Sequence, residues 1–234
     1  MKQPQFIAHR GFWNDGKTAE NSVRALQNAQ ELQIYGSEFD VRMSRDGVPI
    51  VFHDPEIGNL EIAENDYSDL FSAYRKSEKN LLTTLENFIK LGVNPHSDLK
   101  LIVEIKDTGN KDFEHQTVLS TVYLIEKYRL LERVEFISFS LYICQILRDL
   151  QPDISVKYLN GDLSPEAVKN FGLDGINYEF SVFRAHPEWI AQAHDLQLTT
   201  GCWTVNSPEK FLEISELGID FITTDRPDIF IDFI

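Results

Sequence analysis

The chain has 234 residues, 42% hydrophobic and 25% charged, and 37 acidic against 22 basic side chains give a formal net charge of −15. This balance excludes a disordered or fibrous chain, and its sign speaks against nucleic acid and anionic membrane as partners. No apolar run approaches the roughly 20 residues of a membrane span, no secretory leader is visible in "MKQPQF", and the two cysteines, Cys144 and Cys202, lack metal-ligand spacing and fit reduced, packed thiols of a cytoplasmic protein.

Taken in chain order, eight short runs rich in Ile, Val, Phe and Tyr read as strands: 6–10, 37–43, 101–106, 134–140, 154–159, 175–179, 198–205 and 220–225. Helical spacing fills most of the intervals. Val23, Leu26, Ala29 and Leu32 recur at three within 18–33. Val118, Val122 and Ile125 share a face within 113–130, with Leu119 and Tyr128 beside it, and Leu141, Cys144, Leu147 and Leu150 recur at three. "SPE" at Ser164 and Ser207 supplies a serine cap, a proline at the first helical position and an acid in the first turn; "HPE" at His186 is a weaker version. Gly36, Gly172 and Gly218 are placed as helix-ending glycines. Eight strands alternating with helices predict an α/β fold, a (β/α)8 TIM barrel, as one domain over 1–234. An open doubly wound sheet usually carries a glycine-rich turn after its first strand, where "HRGFWN" has a single glycine. One interval breaks the rhythm. "RDGV" (45–48) predicts a hairpin turn with 48–54 returning along it, and about 54–80 is a small, polar, irregular insertion after the second strand, with a short helical stretch near 69–76.

Function in such a barrel sits at the C-terminal strand ends. Glu38 and Asp40 are two apart on one strand and so share a face, as do Glu104 and Lys106 on the third. Carboxylates crowded inside a barrel repel unless a positive charge lies among them. For Glu104 and Lys106 taken alone, a buried ion pair that only sets packing is an equal reading. Together Glu38, Asp40 and Glu104 offer three hard oxygen ligands suited to Mg²⁺ or Ca²⁺. His9 ends the first strand and His53 ends the return arm of the hairpin; imidazole suits proton transfer near neutral pH. His96, His115, His186 and His194 fall in loops or helices and read as structural. Ser138, Lys157, Asn177 and Glu179 lie near later strand ends, where a place in the pocket wall and a place in a packed polar network are equally open to each.

"AHRGFWNDGKTAENSVRAL", "SEFDVRMSRDGVPIVFHD", "LIVEIK" and "WTVNSPEKFLEISELGIDFITTDRP" resemble, in order and spacing, successive motifs of the glycerophosphodiester phosphodiesterases, from Ile7 to Pro227. The resemblance implies a (β/α)8 barrel with an insertion after its second strand. It implies His9 and His53 as general acid and base, and Glu38, Asp40 and Glu104 as ligands of one divalent cation. Arg10 and Lys106 then contact the phosphate and Trp203 forms an aromatic wall. The implied reaction is metal-dependent hydrolysis of a small-molecule glycerophosphodiester to an alcohol and glycerol 3-phosphate. Ala19, Ser22 and Ser44 replace the usual proline and threonines, and "DPEIGNLEIAENDY" after His53 lacks the family's leucine, arginine and paired threonines, so the alcohol side of the pocket does not carry over. The sequence leaves open lyase-type cleavage through a cyclic phosphate, as well as the oligomeric state, a homo-oligomer included. A Schiff-base aldolase using Lys106 leaves both histidines unexplained. A non-catalytic metal- or phosphate-binding barrel would have lost one of the matched positions.

Overall fold

The computed structural model describes residues 3–77 and 82–230. Eight parallel strands close on themselves: β1 (Gln5–Ala8), β2 (Gly36–Met43), β3 (Lys100–Ile105), β4 (Val134–Ser138), β5 (Val156–Tyr158), β6 (Gly175–Glu179), β7 (Thr199–Trp203) and β8 (Phe221–Thr224). Each pairs with its neighbours in sequence, and β1 closes the ring by pairing with both β8 and β2. Every strand predicted from composition is therefore present.

Helices α1 (Val23–Glu31), α2 (Tyr67–Ser77), α3 (Leu85–Gly92), α4 (Lys111–Lys127), α5 (Leu141–Leu150), α6 (Pro165–Asn170), α7 (Phe180–Ala185), α8 (Glu188–Asp195), α9 (Pro208–Glu216) and α10 (Pro227–Phe230) complete the fold. Ser22, Ser164 and Ser207 cap their helices by accepting from the backbone N–H three residues on. His186 does not start a helix. It closes α7, a helix the sequence pattern missed, and α8 begins after Pro187 without a side-chain cap. Gly172 and Gly218 hold the expected left-handed conformation behind α6 and α9. Gly36 does not. It is the first residue of β2, where a Cβ would stand 3.1 Å from the Lys100 carbonyl oxygen, so it serves close strand contact and not a helix end.

Alternation divides the core in two. Phe39, Val41, Val103 and Ile105 point outward into the large core between strands and helices, whereas Ile7, Ile102, Ile137, Leu159 and Phe221 form a separate plug inside the barrel. Below the plug, Glu135 on β4 accepts from the Tyr35 hydroxyl and pairs with Lys157 on β5. Above it, the carboxylates of β2 and β3 face the mouth.

After β2 the chain turns at Gly47 and returns as Pro49–Val51, antiparallel to β2. A small hairpin follows, Glu56–Ile57 against Leu60–Glu61, then α2. Ile50, Ile57, Ile62, Leu70 and Leu82 bury a minor core of their own, so the insertion is more ordered than its polar composition predicts. Its expected last part, 78–80, lies outside the described residues. Among the described residues no helix is long and apolar enough to cross a membrane.

Candidate active site

A cavity of about 130 Å³ opens at the C-terminal end of the barrel, lined by His9, Arg10, Glu38, His53, Glu104, Lys106 and Trp203, among others. Seven of the eight residues singled out from sequence thus meet there. The eighth, Asp40, is 1% exposed and lies immediately behind, in contact with Lys106.

The turn after β1 is built by unusual backbone. Arg10 and Gly11 are both left-handed, with φ of 55° and 80°. For Arg10 this costs roughly 1–2 kcal/mol, and hydrogen bonds to β2 and to the next loop hold it there. The Arg10 N–H donates to Glu38 Oε2 at 2.8 Å, and the Arg10 carbonyl accepts from the Asn21 N–H at 2.9 Å. Asn21, itself left-handed, donates its amide to Asp40 Oδ2 at 2.7 Å and accepts from the Asp40 N–H at 3.1 Å. The turn is therefore clipped to the strand that carries the acids. The Arg10 guanidinium donates to Glu20 at 2.8 Å and lies 3.6 Å from Asp40.

The His9 N–H donates to the Thr224 carbonyl on β8, and its ring Nδ1 lies 2.7 Å from Asp225 Oδ1. Asp225 is held in turn by the Asn206 amide at 2.6 Å. Burial pushes the Asp225 carboxyl up, but His9 and Asn206 outweigh it and keep it below the ordinary range. His9 Nε2 is left facing the cavity, 4.0 Å from Glu38. His53 is set differently. Its carbonyl accepts from Arg42 Nε at 2.7 Å, and its Nδ1 lies 2.7 Å from the exposed Asp54. Burial and the nearby Lys106 charge lower its pKa below the usual imidazole value, which favours the neutral ring.

Oxygens of Glu38, Asp40 and Glu104 lie within 4.8 Å of one another, and all three residues are buried. Burial, with Asp40 and Glu104 close by, pushes the Glu38 carboxyl far above its ordinary value. Burial and Asp40 raise Glu104 to about 7. Burial also pushes Asp40 up, but Lys106 and the Asn21 amide prevail and hold it low. Lys106 Nζ stands 2.9 Å from Asp40 and 2.5 Å from Glu104. One lysine is thus shared by two carboxylates, while Glu38 Oε1 is buried without a hydrogen-bond partner. An all-oxygen set that is short of positive charge, with an orphaned carboxylate oxygen, fits a hard divalent cation.

Trp203 donates its indole N–H to the Asn177 carbonyl at 2.8 Å and packs edge-on to Phe139, with ring centroids 5.5 Å apart. Of the later strand-end residues, Asn177 lines the cavity. Ser138 donates to the Ile105 carbonyl, Lys157 lies below the plug with Glu135, and Glu179 caps α7 by accepting from the Ser181 N–H. Asp225, Asn206, Glu20 and Asn21 were not singled out as site residues, although each stands inside a quoted motif. A second cavity of about 360 Å³ adjoins the first at His53, between the β1–α1 loop and the insertion, lined by Trp13, Glu20, Phe52, Asp54 and Tyr74, among others.

Two histidines, two buried carboxylates and two cationic groups thus gather around one barrel-mouth cavity, with a third buried carboxylate behind it. The chain belongs to the glycerophosphoryl diester phosphodiesterase family, whose profile its residues 9–229 match. It is 26% identical over 239 residues to a glycerophosphodiester phosphodiesterase of Bacillus altitudinis, covering 96% of this chain and 95% of that protein. A crystal structure of a glycerophosphodiester phosphodiesterase from Parabacteroides distasonis superposes with a TM-score of 0.94 at 33% identity, covering 100% of this chain and 98% of that one. An Oleispira antarctica phosphodiesterase, solved in complex with the product sn-glycerol-3-phosphate, shares the fold at a TM-score of 0.81 and 22% identity, covering 97% of this chain and 95% of that one.

Proposed function

We propose that the protein hydrolyses a small-molecule glycerophosphodiester to an alcohol and glycerol 3-phosphate, in a reaction dependent on one divalent cation and served by His9 and His53. The observation that carries this is the convergence of both histidines, Arg10, Lys106, Glu38 and Glu104 on one cavity, with Asp40 completing the carboxylate cluster immediately behind it. The strongly acidic composition speaks against nucleic acid and anionic membrane as partners, and the two buried free cysteines fit a cytoplasmic enzyme.

Glu38, Asp40 and Glu104 would hold the cation, Mg²⁺ or Ca²⁺. When bound, it stabilises charge developing on the phosphoryl oxygens. Arg10 and Lys106 add positive charge on the same side of the cavity, where a diester anion is stabilised more strongly than in water. Trp203 and Phe139 supply an apolar wall that excludes water. Neutral His53 accepts the proton of the attacking water. As the new P–O bond forms, the bond to the alcohol breaks, and His9 delivers a proton from Nε2 to the departing oxygen. Asp225 orients the His9 ring through Nδ1, which leaves Nε2 directed to the departing oxygen.

The test is a panel of choline, ethanolamine, glycerol and inositol glycerophosphodiesters incubated with Mg²⁺ or Ca²⁺ and followed by phosphorus NMR. Glycerol 3-phosphate as the first phosphorus product supports the reading. A cyclic phosphate appearing first replaces water attack by attack of a glycerol hydroxyl, and no turnover of any diester refutes the assignment.

A further inference from the structure

The wall across the barrel from β2 and β3 carries a polar group that the steps above leave unused. Asn177, on β6, is 4% exposed and lines the catalytic cavity. Its backbone carbonyl is taken by the Trp203 indole, which locks β6 to the aromatic wall. Its side-chain oxygen is buried and has no hydrogen-bond partner. Buried amide oxygens are almost always paired, so an orphan on a residue that lines a cavity calls for a ligand that completes it.

The neighbouring strand keeps this amide in place. Asn177 is in register with Gly201 on β7. A Cβ at position 201 would stand 2.6 Å from Asn177 Oδ1 and 2.9 Å from its Cγ. Glycine at this position therefore leaves the room that the amide occupies. Ile137, Phe139, Leu159 and Trp203 line the same cavity with apolar surface. In such surroundings a neutral acceptor discriminates sharply between a ligand that brings a hydroxyl and one that does not.

We infer that Asn177 and this wall form a hydroxyl-recognition subsite, in which a hydroxyl of the glycerol moiety donates to Asn177 Oδ1. The inference rests on the proposed function for the nature of the ligand. It assigns Asn177 to specificity and not to proton transfer.

Calorimetric titration of sn-glycerol 3-phosphate and of propyl phosphate, which lacks the hydroxyls, tests it in Mg²⁺ buffer on the wild type, Asn177→Leu and Asn177→Ala. The wild type is expected to bind glycerol 3-phosphate at least about tenfold more tightly than propyl phosphate. In both variants the two affinities should fall within about threefold of each other. Because both ligands are compared on one sample, any unfolded fraction changes the stoichiometry and not the ratio. A preference that survives in either variant, or that is absent from the wild type, overturns the subsite. The wild-type sample is also assayed on glycerophosphocholine. Turnover without hydroxyl preference rejects the subsite alone, whereas a hydroxyl preference without turnover supports the subsite and rejects the hydrolytic reading.

Discussion

His9 and His53 face one cavity but are set for different tasks. His9 is backed by Asp225, which Asn206 fixes, whereas His53 is backed by an exposed aspartate and shifted toward the neutral ring by burial and Lys106. Because the His53 pKa is lowered, its basic form persists below the usual imidazole range. With the cation held saturating, so that protonation of Glu38 and Glu104 does not release it first, the acid limb of kcat/KM that belongs to His53 should lie below the ordinary imidazole range. His53→Ala should reduce turnover by roughly 10²-fold or more and remove that acid limb; an unchanged limb in the variant would assign it to another group. The acids of this site were legible because strand alternation is strict: Glu38 and Asp40, then Glu104 and Lys106, each two apart, had to share a face. Asp225 and Asn206 were not legible, since they lie beyond strand ends, where no period constrains direction. Alternation also reports face and not depth, which is why Lys157, on an inward face, proved to lie below the plug.

At the scale of elements, the β1–α1 turn is the most constrained piece of the site. Gly11 has φ of 80°, and a Cβ there would stand 2.7 Å from the Ala25 backbone carbon. Gly11→Ala should destabilise the fold by about 2 kcal/mol or more, from left-handed strain plus the clash. The urea midpoint measures this, and an unmoved midpoint would show that the turn relaxes. The clips from Asn21 to Asp40 were not legible in the sequence, because they are tertiary hydrogen bonds. Gly36 shows the reverse error: a glycine between helix and strand fits a helix end by position, yet close contact with β3 decides its role. The insertion was placed correctly but read as irregular. Its apolar residues bury against one another only after the hairpin and α2 form, a cooperation that a local window does not reveal.

Across the whole molecule, the barrel separates stability from chemistry along its axis. Tyr35, Glu135 and Lys157 tie its lower end together, the apolar plug fills the middle, and the catalytic groups crowd the mouth. Burial pushes the Glu135 carboxyl up, but Lys157 and Tyr35 prevail and keep it ionised. Lys157→Met leaves that buried carboxylate without its cation and should cost about 3–5 kcal/mol of stability. Turnover per folded molecule should be unchanged; a variant with full stability but lost turnover would move Lys157 into the active site. The mouth has the opposite character. Its carboxylates are crowded, one oxygen is orphaned, and a single lysine is shared between two acids, a balance that a bound cation would restore. The most direct test is the rate of glycerophosphodiester hydrolysis before chelation, after exhaustive chelation and dialysis, and after return of Mg²⁺ or Ca²⁺. Hydrolysis should vanish on chelation and recover with the metal, whereas a full rate in the chelated enzyme would contradict a cation held by Glu38, Asp40 and Glu104.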